Sequence, residues 1–138
     1  MLHIEYLTIN GMDCDYGDVV NCWMIKEIPT SIKNLKELKS LSLALNAIVT
    51  IPIELASLKK LIAIDLTDNA GLREIETLTK IETLEYLWLY GCGLTKLPKD
   101  ISNLKNLKQL GLVGNNLDKN EQQRIKNALP NCIINFDK

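Results

Sequence analysis

One interval governs this chain: its leucines and isoleucines recur every 23 residues. Leu38, Leu61, Leu84 and Leu107 are each 23 apart; the same step links Leu41, Ile64, Leu87 and Leu110, and again Leu43, Leu66, Leu89 and Leu112. It also links Asn46, Asn69, Cys92 and Asn115. A fixed period of this length marks stacked supersecondary units, and it decides the architecture before any other feature is weighed. Within each unit the second and third apolar positions stand two apart, as the inward residues of a short strand must. A single unit cannot bury them. Stacking sets each leucine on its counterparts above and below, where burial is worth about 1.5–3 kcal/mol per side chain. The recurrent asparagine falls where the chain leaves the strand, placed to turn inward and bond unpaired backbone groups. Cys92 takes that place once, with a weaker donor.

The unit reads L-x-x-L-x-L-x-x-N/C-x-L and continues into segments such as TIPIELASLKK and KLPKDISNLKN. In this pattern, from about Ile25 to Leu117, the chain resembles the leucine-rich repeat family, and it is similar to bacterial members. The resemblance implies an α/β fold: a right-handed leucine-rich repeat solenoid, a horseshoe arc with a parallel sheet on the concave face. Short helices or turns are expected on the convex face. Pro29, Pro52 and Pro98 mark the descent to that side, with Leu55/Leu58 and Ile101/Leu104 on the short helical turns. The second unit departs, with Glu76 where proline would stand and Gly71 inserted after Asn69, so its convex side is expected to differ.

The whole length, 1–138, reads as one domain with atypical ends. Residues 1–24 form an atypical first repeat, because Ile4, Leu7, Ile9 and Met12 keep the spacing while Leu38 follows Ile4 by 34 residues, 11 more than a period. The excess lies in DCDYGDVVNCW. Residues 25–117 carry the regular repeats. Residues 118–138 read as a closing helix, with Ile125, Ala128 and Leu129 on one face, then a turn and a last strand. Tails of the form LPNC-x-I-x-F resemble the C-terminal ends of some bacterial leucine-rich repeat proteins. Such a helix covers the last coil, as a solenoid needs for solubility. No comparable cap is evident at the N-terminal end, unless the insertion folds over it.

The candidate site lies among the outward strand positions. In register they are Tyr6, Thr8 and Asn10; Ser40, Ser42 and Ala44; Ala63, Asp65 and Thr67; Tyr86, Trp88 and Tyr90; Gln109, Gly111 and Val113. Three aromatics therefore share one strand, in a chain only 5% aromatic, among small neighbours. Tyr and Trp are enriched at binding hot spots, and each buries about 150–250 Å². The alternative is architectural: Trp88 lies over Gly111 and stiffens the sheet. Asp65 borders the ridge and Asp68 sits at its edge, with Thr67 and Gln109 beside them. Asp13, Asp15 and Asp18, with Tyr16, emerge from the insertion at the same edge. Carboxylates around aromatics suit a basic peptide or protein, through ion pairs and cation–π contact; the plain alternative is that they cap turns.

Other classes fall away. Net charge is −1, and most lysines lie in convex segments such as SIKNLKELK, so nucleic acid is not an expected partner. No run reaches the length of a membrane helix. The start MLHIEYLTIN lacks a secretory signal, which leans toward a cytoplasmic location unless such a segment has been removed. The four cysteines contain no CxxC; Cys14 and Cys22 read as free thiols, or as a small loop closed in an oxidising compartment. DCDYGD starts like a calcium loop, but Asp18 stands where glycine is needed and Met24 where the closing glutamate belongs. His3 has no catalytic companion, and no nucleophile or phosphate-cradling motif occurs. We expect no enzyme, no cofactor and no metal. The family resemblance implies protein–protein recognition, and a monomer is expected. The alternatives are an assembly piece that dimerises through its N-terminal coil, and carbohydrate binding by aromatic stacking.

Overall fold

The computed structural model describes residues 3–11 and 23–137. Met12, Cys14, Cys22 and the acidic residues of the insertion lie outside them, so the expectations placed there are not addressed by it.

Six short strands form one parallel sheet in strict chain order: β1 Tyr6–Thr8, β2 Ser40–Ser42, β3 Ala63–Asp65, β4 Tyr86–Trp88, β5 Gln109–Gly111 and β6 Ile133–Asn135. The middle residue of each strand stands in one row, Leu7–Leu41–Ile64–Leu87–Leu110–Ile134. Period two then sends its flanking residues to the other face. The row is buried from Leu41 to Leu110. Leu38, Leu61, Leu84 and Leu107 are buried too, as are Leu43, Leu66, Leu89 and Leu112. The chain is a leucine-rich solenoid whose repeat registers are its core. β1 pairs with β2 in register despite the 34-residue separation of Leu7 and Leu41, so the extra residues between them leave the stack intact.

On the convex side the expected short helices are 3-10 turns at Thr30–Asn34, Ile53–Ser57, Glu76–Lys80 and Ile101–Asn103. Pro29 and Pro52 precede the first two, extended at φ −66° and −69°. Their fixed φ and missing N–H suit the residue before a helical turn. In the second unit the insertion of Gly71 displaces the pairing by one residue. Thr50 bridges Glu74, 24 residues on, and Val49 O accepts from the N–H groups of both Arg73 and Glu74. By Leu78 the 23-residue register with Leu55 has returned, and a 3-10 turn forms without proline.

The inward asparagines account for the turn backbone. Asn69 accepts from Ile48 N–H (2.9 Å) and donates to Leu66 O of its own coil (2.9 Å) and Leu43 O of the preceding one (3.0 Å). Asn115 repeats this with Leu94 N–H, Leu112 O and Leu89 O, and Asn46 with Ile25 N–H, Leu43 O and Ile9 O. Cys92 donates to Leu66 O at 3.2 Å, a longer and weaker contact. Burial pushes its thiol up to about 11, so it stays protonated.

One further row emerges in full only in the backbone. Leu45, Asp68, Gly91 and Gly114, each 23 residues apart and each just before the Asn/Cys position, have φ of 59°, 59°, 62° and 80°. The coil bends there through the left-handed region, which glycine enters freely and leucine does not.

The C-terminal helix α1, Lys119–Ala128, closes the last coil with Ile125 fully buried. Asp118 caps it, accepting from Glu121 N–H (2.7 Å). Glu121 is itself buried: it accepts from Leu97 N–H (2.9 Å), while Arg124 bridges Glu121 (2.6 Å) and Leu97 O (2.9 Å). The pair thereby satisfies both backbone groups of one residue in the coil beneath. The Arg124 guanidinium holds the Glu121 carboxyl below its ordinary range, against the opposing effect of burial.

Candidate partner-binding face

Two rows of outward side chains line the sheet. The first runs Tyr6–Ser40–Ala63–Tyr86–Gln109–Ile133, and the second Thr8–Ser42–Asp65–Trp88–Gly111–Asn135. Among these twelve positions Asp65 carries the only charge; every Lys and Arg of the chain lies elsewhere. Lys39 and Lys108, just before β2 and β5, are held by Glu5 (3.2 Å) and Glu85 (3.1 Å) at the strands' N-terminal edge.

The three aromatics do not act alike. Tyr86 and Trp88 stack on one another, ring centroids 5.8 Å apart and planes within 14°. Same-side residues of one strand stand close enough for this. Tyr90 lies beyond the end of β4, and its ring sits over Gly111, where a Cβ would fall 2.3 Å from Cζ. Its hydroxyl accepts from Asn135 Nδ2 at 3.5 Å, across to β6. The ring over that glycine is therefore Tyr90 and not Trp88, which corrects the architectural alternative. A strand glycine opens a space, and the residue two beyond Trp88 fills it. Trp88 and Tyr86 remain half-exposed.

Asp65 faces Trp88 across the β3–β4 pair, and its Oδ1 accepts from Thr67 N–H (2.9 Å). This holds the carboxylate at the strand end in an Asx turn. Among the described residues no donor reaches Oδ2. Asp68 is exposed at the rim, and its Oδ1 lies where a Cβ on Gly91 would stand, 2.3 Å away. That glycine lets the carboxylate lie against the next coil. Thr67 is half-buried, and Gln109 is exposed beside Tyr86. The face thus brings together Asp65, Trp88, Tyr86 and Gln109; Asp68 stands apart at its edge.

Two exposed apolar residues join the same face without having been counted in the site. Tyr6 is 70% exposed at one end of the first row, and Ile133 62% at the other. The spacing that aligns Leu7 with Leu41 carried the signal for Tyr6. For Ile133 the alternation in the last strand carried it.

The described residues contain no group of three or more His, Cys, Asp or Glu placed to hold a metal ion. A family model for the leucine-rich repeat region matches residues 1–138. Over 90 residues, 64% of its length, the chain is 33% identical to a probable disease resistance protein of Arabidopsis thaliana and spans 10% of it. Among solved structures, a leucine-rich repeat protein of Leptospira interrogans is similar with a TM-score of 0.77 and 35% identity, over 82% of this chain and 29% of that one. The Arabidopsis receptor kinase HAESA ectodomain, solved with a peptide hormone ligand, is similar with a TM-score of 0.52 and 29% identity, over 67% of this chain and 16% of that one. The chain spans less than a third of the length of each of these proteins.

Proposed function

Since the chain belongs to the leucine-rich repeat family, whose members generally present a surface to other proteins, we propose that it is a recognition module that binds a peptide or protein on its concave face. The observation that carries this reading is the half-exposed Tyr86–Trp88 stack, raised among small residues with Asp65 opposite. Rigid aromatics that bury large areas at low entropic cost are what partner surfaces are built around. A peptide hormone bound to the similar HAESA ectodomain is in keeping with it. Tyr90 and Gln109 flank the contact, Thr67 supports Asp65, and Asp68 adds charge at the rim. A basic partner fits, because the face has no cation of its own.

The test is capture from lysate of the source organism, comparing wild type with a Tyr86→Ala/Trp88→Ala double variant and a convex control, Ile53→Ser. The double variant is chosen because Tyr90, set over Gly111, belongs partly to the fold. A partner taken by wild type and the control but lost by the double variant supports the reading. Equal capture by all three removes this face from consideration.

A second reading has its own observation. At the N-terminal end an apolar cavity of about 320 Å³ lies between β1 and the first 3-10 turn, lined by residues including Leu7, Ile9, Ile25, Ile32 and Leu43. Pairing of two chains through that end accounts for it. Sedimentation distinguishes the readings: a concentration-dependent dimer abolished by Leu7→Asp favours assembly, and a monomer at all concentrations excludes it.

A further inference from the structure

Between Tyr6 on β1 and the Tyr86–Trp88 stack on β4, the two intervening strands carry only Ser40, Ser42, Ala63 and Asp65 on this face. Three strand spacings of about 4.8 Å separate the aromatic walls, so the trough is about 14 Å across between backbones. Its floor is small and uncharged except for one carboxylate, and that carboxylate lies directly opposite the indole. The Tyr90 ring already fills the space over Gly111, so the indole is not drawn away over β5. Thr67 N–H fixes Asp65 through Oδ1. Oδ2, which no donor reaches among the described residues, and the half-buried aromatic stack thus border one volume.

We propose that this trough receives an arginine side chain of the partner, its guanidinium stacked on Trp88 and bonded to Oδ2 of Asp65. The inference rests on the concave-face reading and names the chemistry recognised there. A planar, weakly hydrated cation gains from an aromatic face and a carboxylate edge at the same time, which a compact, strongly hydrated ammonium does not. The aliphatic stem of arginine lies over Ala63. Charge complementarity has one sign here: the sole charge of the two rows is negative, and among the described residues the cation–π contact present is Lys126 over Phe136, on the C-terminal cap. Among the described residues no cation occupies the stack.

The experiment titrates the whole chain with N-acetylarginine amide, N-acetyllysine amide and the neutral citrulline analogue, following the indole N–H resonance of Trp88. The Trp88→Phe variant assigns that resonance against Trp23. The arginine amide is expected to move it saturably, with a dissociation constant on the order of millimolar. The lysine amide is expected to bind several-fold more weakly, and citrulline not to move it. Asp65→Asn keeps an acceptor for Thr67 N–H, so the fold is retained, and it is expected to weaken arginine binding about tenfold. Equal responses to all three amides, an unchanged affinity in Asp65→Asn, or no response to arginine each overturn the inference. Should arginine give no response while the Tyr86/Trp88 variant still loses its captured partner, the face remains the binding surface and only its arginine preference is lost. If both fail, the concave-face reading goes with it.

Discussion

Replacing Asn69 with alanine is the sharpest probe of what holds the coils in register. The amide is fully buried, and its three strongest bonds serve different neighbours. Leu43 O keeps a bond from Asn46 Nδ2 (3.0 Å) and Leu66 O keeps the Cys92 thiol (3.2 Å) when the side chain is lost. Ile48 N–H, on a residue with no exposed surface, keeps no partner among the described residues. An orphaned buried N–H costs about 1–3 kcal/mol, and weakening two carbonyl contacts adds about 1 more. Asn69→Ala is therefore expected to cost about 2–4 kcal/mol. Cys92→Ala removes only weak sulfur contacts and a little apolar volume, about 1 kcal/mol. Urea denaturation followed by far-ultraviolet circular dichroism measures both, with the slope checked for constancy because stacked coils need not unfold as one unit. Equal costs for the two substitutions would refute the view that the asparagines act as acceptors for buried backbone.

Three further outcomes follow from single features of the fold. Leu45→Asn relieves a leucine held at φ 59° and should stabilise the chain by about 0.5–1 kcal/mol, read as a higher urea midpoint. Gly111→Ala sets a Cβ against the Tyr90 ring and is expected to cost about 1–3 kcal/mol. In a Tyr90→Ala background that cost should nearly vanish, and a double-mutant cycle shows it. Glu121, whose carboxyl is lowered in the fold by its bond to Arg124, contributes stability that is complete above the ordinary glutamate range. That contribution is lost as pH falls through the lowered value. Glu121→Gln is therefore expected to be less stable than wild type at neutral pH, with the gap narrowing below about pH 4.5 in denaturation midpoints.

The period made most of this architecture readable from the sequence, because a stack repeats the same burial at the same interval. The 34-residue offset of β1 was readable too, since Ile4, Leu7 and Ile9 keep the internal spacing. The left-handed row was half visible: Gly91 and Gly114 stand one period apart, but Leu45 and Asp68 conceal it, being residue types that seldom adopt positive φ or do so only for local reasons. Which aromatic covers Gly111 was not legible. Both Trp88 and Tyr90 point outward, and a rotamer, not a spacing, decides between them. Glu121 and Arg124 read as an ordinary surface pair three residues apart on a helix. Their contact with Leu97 depends on where the cap seats, which no local pattern encodes.

The central claim is that a partner is held on the concave face, and hydroxyl-radical footprinting of the captured complex tests it most directly. Tyr6, Tyr86 and Trp88 line the trough, whereas Trp23, Met24 and Ile53 are exposed outside it. Protection of the first three, with the second three oxidised as fast as in the free chain, is the predicted result. Protection confined to Trp23 and Met24, or to Ile53, would contradict it and place the partner on the N-terminal end or the convex side.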